Sequence, residues 1–194
     1  MTTAGISVIV LAGGRSSRFG RDKLAEAVHG RPLLHHAIDA VRPIAAEIII
    51  VAAPDASPPL PADVTLVNDA VAFEGPLAGL LGGLAATRSR TVLVVGGDMP
   101  ALSVAVLGSM VALLTESDAS AVVLEDGGRG RPLPMALCRE PGLTIASALL
   151  AGGERRLRAL ADALSAAVLP EAAWRALDPS GDTLRDIDTK ADLA

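Results

Sequence analysis

Short apolar runs rich in β-branched residues punctuate the chain: ISVIV at 6–10, IIIV at 48–51, VTLV at 64–67, VLVV at 92–95 and AVVL at 121–124. None alternates strictly between apolar and polar residues, which predicts strands covered on both faces, as in a parallel sheet. Between the runs, the apolar spacing lengthens to that of a helix. PLLHHAIDAV sets Pro32 at a first-turn position and places Leu34, Ile38 and Val41 on one stripe. Residues 76–88 are periodic too, although glycines interrupt them. Ser103 reads as the cap of a helix running to about Leu114. Strands alternating with helices make βαβ units, and hence an α/β fold of three α/β/α layers. The proline-rich stretch 54–63 reads as a surface connection within a single domain spanning 1–194.

Beyond Leu124 the pattern changes. EDGGRGRPLPMALC predicts a turn leading into a strand at 133–138. GGERRLRALADAL predicts a helix with Leu157, Leu160 and Leu164 inward, and residues 184–187 predict a short last strand ending in DIDT.

Composition narrows the functional classes. Hydrophobic residues make up 51% of the 194 positions and charged residues 20%, the balance of a chain that buries a core. No apolar run approaches the ~18–20 residues of a membrane span, and the N-terminus lacks the basic region of a signal peptide. A cytoplasmic protein without membrane contact is therefore expected. The single cysteine, Cys138, can form neither an internal disulfide nor a cysteine metal cluster, and reads as a small core residue. A net charge of −5 and few aromatics (two Phe, one Trp, no Tyr) argue against nucleic acid as a partner. Positive charge is concentrated instead at Arg15, Arg18, Arg21 and Lys23. That pattern suits a small anionic ligand better than a polymer.

In open parallel sheets, ligands bind beyond the carboxyl ends of the strands, and polar clusters follow several predicted strands here. The first is LAGGRSSRFGRDK at 11–23. Gly13 and Gly14 let amides approach phosphate oxygens, while Arg15, Arg18 and Lys23 carry the charge to neutralise a triphosphate. Its spacing matches neither the Walker nor the dinucleotide pattern, so by composition it is either a phosphate loop or a basic surface turn. Asn68 and Asp69 follow the third run. GGDMP at 96–100 follows the fourth, and its bend aims Asp98 over the sheet edge, to hold Mg²⁺ against phosphates or to cap the next helix. Asp188 reads equally as a second metal ligand or as the cap of the segment TKADL. His35 and His36 would stand about 100° apart on a helix and cannot chelate one ion together. His29 sits in a turn, and no G-x-S-x-G elbow is present. Arg155 and Arg156 read as an exposed helix face, with the option of serving an anionic acceptor.

LAGGRSSRFGRDK resembles the signature L-A-G-G-x-S-x-R-[MF]-G-x-D-K of nucleotidyltransferases acting on sugar phosphates and the molybdenum cofactor. GPLAGLLGGL at 75–84, GGDMP and RPLPMALCRE at 131–140 resemble the molybdenum cofactor guanylyltransferase branch, and the terminal DIDTKADL matches its closing motif loosely. The resemblance implies a mostly parallel, Rossmann-like sheet of the nucleotide-diphospho-sugar transferase type. It also implies that Leu11, Ala12 and Gly13 contact the nucleotide through their backbone and that Lys23 and Arg18 neutralise its phosphates. Asp69 would contact the nucleoside, Asp98 would bind Mg²⁺, and the loop around Arg129 and Arg131 would face the pterin. Two positions depart from the family pattern. Val51 and Ala52 stand where some members carry asparagine, and Asp186 and Asp188 stand where the closing motif often has asparagines.

The reaction implied is transfer of GMP from GTP to the terminal phosphate of molybdopterin or the molybdenum cofactor, with release of pyrophosphate. Transient contact with cofactor-biosynthesis or molybdoenzyme-maturation proteins is expected. The alternatives are a cytidylyltransferase for the same cofactor, a nucleotidyltransferase for another small phosphate acceptor, and a nucleotide-binding molybdoenzyme chaperone.

Overall fold

The computed structural model describes residues 5–13, 23–28, 30–54, 56–58, 60–68 and 75–187. Its elements in chain order begin with β1 (Ser7–Leu11), β2 (Ala27–Val28), β3 (Arg31–Pro32), α1 (Leu33–Val41), β4 (Glu47–Ala52), β5 (Thr65–Asn68) and α2 (Pro76–Ala86). They continue with β6 (Thr91–Gly96), α3 (Val104–Glu116), β7 (Ala121–Asp126), β8 (Arg129–Cys138), α4 (Arg139–Ala151), α5 (Leu157–Ala163), β9 (Ala167–Leu169) and α6 (Glu171–Arg175). Seven strands form one sheet in the order β5-β4-β1-β6-β8-β7-β9, and β2 pairs with β3 in a small hairpin. All neighbours in the large sheet are parallel except β8, which runs against both β6 and β7.

The strand pattern decides the layers. Along β1, Val8 and Val10 join a core with Leu34 and Ile38 of α1, Leu107 and Met110 of α3 and Trp174 of α6. Ile9, between them, points the other way, into a core with Leu77, Leu80 and Leu84 of α2, Ala146 of α4 and Leu157 and Leu160 of α5. The sheet thus lies between two helical layers, the expected α/β/α arrangement. Each fully buried Leu or Ile of these layers contributes on the order of 1.5–3 kcal/mol from its burial.

The helices expected at 32–41, at 76–88 and from Ser103 are present, and the one expected over 152–164 is present only from Leu157, as α5. Leu34, Ile38 and Val41 are buried, and Ser103 Oγ accepts from Val106 N at the start of α3. Three expectations change. The run at 64–67 becomes β5, an edge strand whose Leu66 is exposed, so only one flank of it is covered. Cys138 is only half-buried, at the end of β8. Residues 184–187 do not form a strand. Asp178 accepts hydrogen bonds from Thr183 N (2.8 Å) and Thr183 Oγ1 (2.7 Å), which winds Asp182–Leu184 into a 3₁₀ turn. Burial pushes the Asp178 carboxyl up, but these bonds and those from Ser180 and the Asp182 amide outweigh it and hold it below its ordinary value. Ile187 then drops into a small cluster with Val28 and Leu33. The last strand is instead β9, whose three residues are too few to show a period.

Trp174 anchors this C-terminal region. It is fully buried, and its indole Nε1 donates to Glu125 O at 2.7 Å. Trp174→Ala is expected to lower stability by about 3–5 kcal/mol, measured by chemical denaturation followed by far-ultraviolet circular dichroism.

Candidate active site

The carboxyl ends of β1, β4 and β6 meet at one edge, where Leu11 pairs with both Val51 and Gly96. Main-chain bonds extend this meeting past the strands. Ala12 N donates to Val51 O at 2.7 Å, and Gly97 N donates to Leu11 O at 3.0 Å. The first motif and the GGDMP bend are therefore tied together by backbone. Asn68 Nδ2 donates to Ala53 O (2.8 Å) and Ala56 O (3.1 Å), fixing the chain that leaves β4.

Lys23 begins a 3₁₀ turn, Lys23–Ala25, that precedes the β2–β3 hairpin. Leu24 packs beside Val28, Leu33 and Ile187, which anchors the turn to the core. From that anchor Lys23 Nζ reaches Asp98 Oδ2 at 2.8 Å, with the two side chains 12% and 31% exposed. Asp98 does not cap α3, because Ser103 does. Its carboxylate turns back over Gly96, where an added Cβ would lie 2.5 Å from Asp98 Oδ1. Glycine at 96 is thus a condition for the carboxylate's position. Asp98 O also accepts from Ile187 N at 3.0 Å, which draws the closing segment to the same edge.

Gly13 behaves differently. A Cβ there would meet only ordinary contacts, the nearest being Ala53 N at 3.7 Å. Among the described residues, no contact demands glycine at 13.

Arg129 and Arg131 lie on the first residues of β8, at the same edge as the C-terminal end of β7. Arg131 stands 3.8 Å from both Asp126 and Asp186, linking the β7–β8 hairpin to the closing segment. Val51 and Ala52 are buried, and their side chains carry no polar group. His36 Nε2 is engaged with Val28 O at 2.8 Å, a contact between α1 and the hairpin. Arg155 and Arg156 are not on a helix face. They lie in the loop before α5, where Glu154 holds them, an arrangement hidden by the helical period of the leucines that follow. Arg15, Arg18, Arg21, Gly14, His29, Asp69 and Asp188 lie outside the described residues.

Among the described residues, no group of three or more His, Cys, Asp or Glu is placed to cage a metal. At the sheet edge the Asp98 carboxylate is a hard oxygen donor, of the kind that binds a divalent cation together with phosphate oxygens and water. No helix among these residues is long and apolar enough to cross a membrane.

A mostly parallel sheet between two helical layers is the fold of the nucleotide-diphospho-sugar transferase type. The solved structure of molybdopterin-guanine dinucleotide biosynthesis protein A from Archaeoglobus fulgidus superposes with a TM-score of 0.79, covering 96% of this chain and 94% of that one at 19% identity. The model of the MobA-like NTP transferase domain matches residues 8–168. A molybdenum cofactor guanylyltransferase of Pseudomonas entomophila (strain L48) is 36% identical over 155 residues, 78% of this chain and 80% of the relative. One from Shewanella halifaxensis (strain HAW-EB4) is 33% identical over 158 residues, 80% of this chain and 78% of the relative. The chain belongs to the MobA-like NTP transferase family.

Gly96→Ala is expected to preserve the fold while driving the Asp98 carboxylate away from Lys23. A crystal structure of the variant, showing Nζ to Oδ2 well beyond the 2.8 Å of the native pair, is the check.

Proposed function

We propose that this chain transfers GMP from GTP to the terminal phosphate of molybdopterin, with or without its metal inserted, and releases pyrophosphate. The observation that carries the reading is the Lys23–Asp98 pair. It sets a cation from the first motif and a carboxylate from the GGDMP bend 2.8 Å apart at the carboxyl edge of the sheet. The curated relatives' names point to the same chemistry. The unit performing it is one nucleotidyltransferase domain over 1–194.

An incoming nucleotide exchanges the partners of this pair. Lys23 leaves Asp98 for the triphosphate, with Arg18 beside it, and Asp98 takes the positive charge that accompanies the phosphates. Mg²⁺, held by Asp98 with Asp188 as a candidate second ligand, would supply neutralisation of the charge that builds on the phosphates. The main chain of Leu11, Ala12 and Gly13 lies along the nucleotide, and Asp69 meets the nucleoside. Arg129 and Arg131 face the anionic acceptor from the β8 side of the edge.

The acceptor's phosphate oxygen attacks the α-phosphorus of GTP. A new P–O bond forms, the α–β bridge breaks, and its electron pair leaves with pyrophosphate. A phosphate monoester is already ionised near neutral pH, so the site needs no general base. Alignment and charge neutralisation do the chemistry.

Lys23→Ala and Asp98→Ala are each expected to cut GMP transfer by roughly 10²–10³-fold with the fold intact by circular dichroism. Turnover near that of the wild type in either variant contradicts the assignment. Gly13→Ala, which meets only ordinary contacts among the described residues, should keep the wild-type melting temperature while its KM for GTP rises.

In a thermal-shift panel with Mg²⁺, GTP should stabilise more than CTP, ATP or UTP, in line with linkage between binding and stability. Stabilisation by CTP alone would overturn the guanine assignment. GTP binding without pyrophosphate release, with molybdopterin supplied, would point to a nucleotide-binding chaperone.

A further inference from the structure

The first turn of α2 reaches the same edge as the phosphate motifs. Gly83 packs against Ile9 and Val51, and Gly82 stands near Val67, so α2 lies across β1, β4 and β5. Because α2 returns against the strands, its first turn, about 10 Å before Gly83 at 1.5 Å per residue, projects beyond their carboxyl ends. On the proposed reading, phosphates at Lys23 and Asp98 would take the β1–β6 side and leave the β4–β5 side, under this turn, for the nucleoside.

This turn has no cap of its own. Gly75 precedes it at φ 93°, with no side chain to accept from the first amides. A neighbouring loop does that work. Leu77 N donates to Arg155 O at 3.2 Å, and Gly75 approaches so closely that a Cβ would lie 2.9 Å from Arg155 Cβ. Glu154 shapes the loop in turn. Its Oε1 accepts from Arg155 N (2.8 Å), Arg156 N (2.9 Å) and Arg156 Nε (2.9 Å), and its Oε2 accepts from Arg156 Nη2 (2.6 Å). The Arg155 side chain folds back on Leu150 O and Glu154 O, closing the end of α4. Hydrogen bonds from the Arg156 side chain and from the Arg156 and Arg155 amides lower the Glu154 carboxyl to about 2. A lowered value keeps the bonded carboxylate in place above its ordinary range, and the bonds are lost only as the pH falls towards 2.

We propose that Glu154 is a positioning residue for base recognition: by holding Arg155 O against Leu77 N, it fixes the first turn of α2 where the guanine of GTP would lie. The proposal rests on the GMP-transfer reading. It makes the main-chain acceptor geometry at Oε1 the operative feature, with the charge paired to Arg156 secondary.

Three variants test it. Glu154→Ala removes the acceptor, Glu154→Asp keeps the charge but shortens its reach by one methylene, and Glu154→Gln keeps an acceptor at the same reach. The Ala and Asp variants are expected to raise KM for GTP by about tenfold, the effect of one misplaced hydrogen-bonding contact, with kcat within about twofold. Their preference for GTP over CTP in kcat/KM should fall to a similar degree, while Glu154→Gln stays near the wild type. Hydrogen exchange at the Leu77 amide, read without substrate, should accelerate in Glu154→Asp, and this variant carries the test if Glu154→Ala does not fold. Unchanged Leu77 exchange, or an unchanged GTP KM in Glu154→Asp, overturns the proposal. Wild-type protein that transfers no GMP contradicts the functional reading instead, and the exchange result still decides whether Glu154 holds the turn.

Discussion

One ion pair organises the candidate site. Lys23 and Asp98 come from segments 75 positions apart, and each is set by something other than its partner. Lys23 rides on a turn anchored by Leu24, and Asp98 on a bend that Gly96 leaves open. The pair is partly removed from water, so either charge left alone would be costly. A ligand that supplies an anion to one and a cation to the other avoids that cost. A nucleoside triphosphate with its divalent ion has this composition.

The backbone around the pair explains why the edge can hold such a geometry. Leu11 is central in the sheet, bonded through β4 on one side and β6 on the other, and Gly97 N closes on its carbonyl. Fully buried β-branched residues beneath it leave little room for the strand ends to shift. The positions of the phosphate motif and the acidic bend are therefore properties of the core. The β4–β5 side is built differently, with the first turn of α2 over the edge uncapped and relying on the loop that Glu154 folds.

Much of this arrangement was legible in the chain itself. The apolar runs located the central strands, and the polar residues just after them located the edge, because parallel strands with helical crossovers bring those ends together. The partnership of Lys23 with Asp98 was not legible, since distant segments carry no local sign of which side chains meet. β9 is not legible because a three-residue strand has no measurable period, and the closing residues carry a strand-like pattern that Asp178 overrides by bending them into a turn. The loop at Gly152–Arg156 was masked by the helical spacing of Leu157, Leu160 and Leu164. α4 is not legible in the sequence, because glycine and proline in its first turn obscure the helix.

The most direct test of the account is a crystal structure of the protein with GTP and Mg²⁺. The account predicts Lys23 Nζ on a phosphate oxygen, the Asp98 carboxylate on the metal, and the two side chains no longer in contact. A nucleotide bound elsewhere, with Lys23 Nζ still 2.8 Å from Asp98 Oδ2, would contradict it.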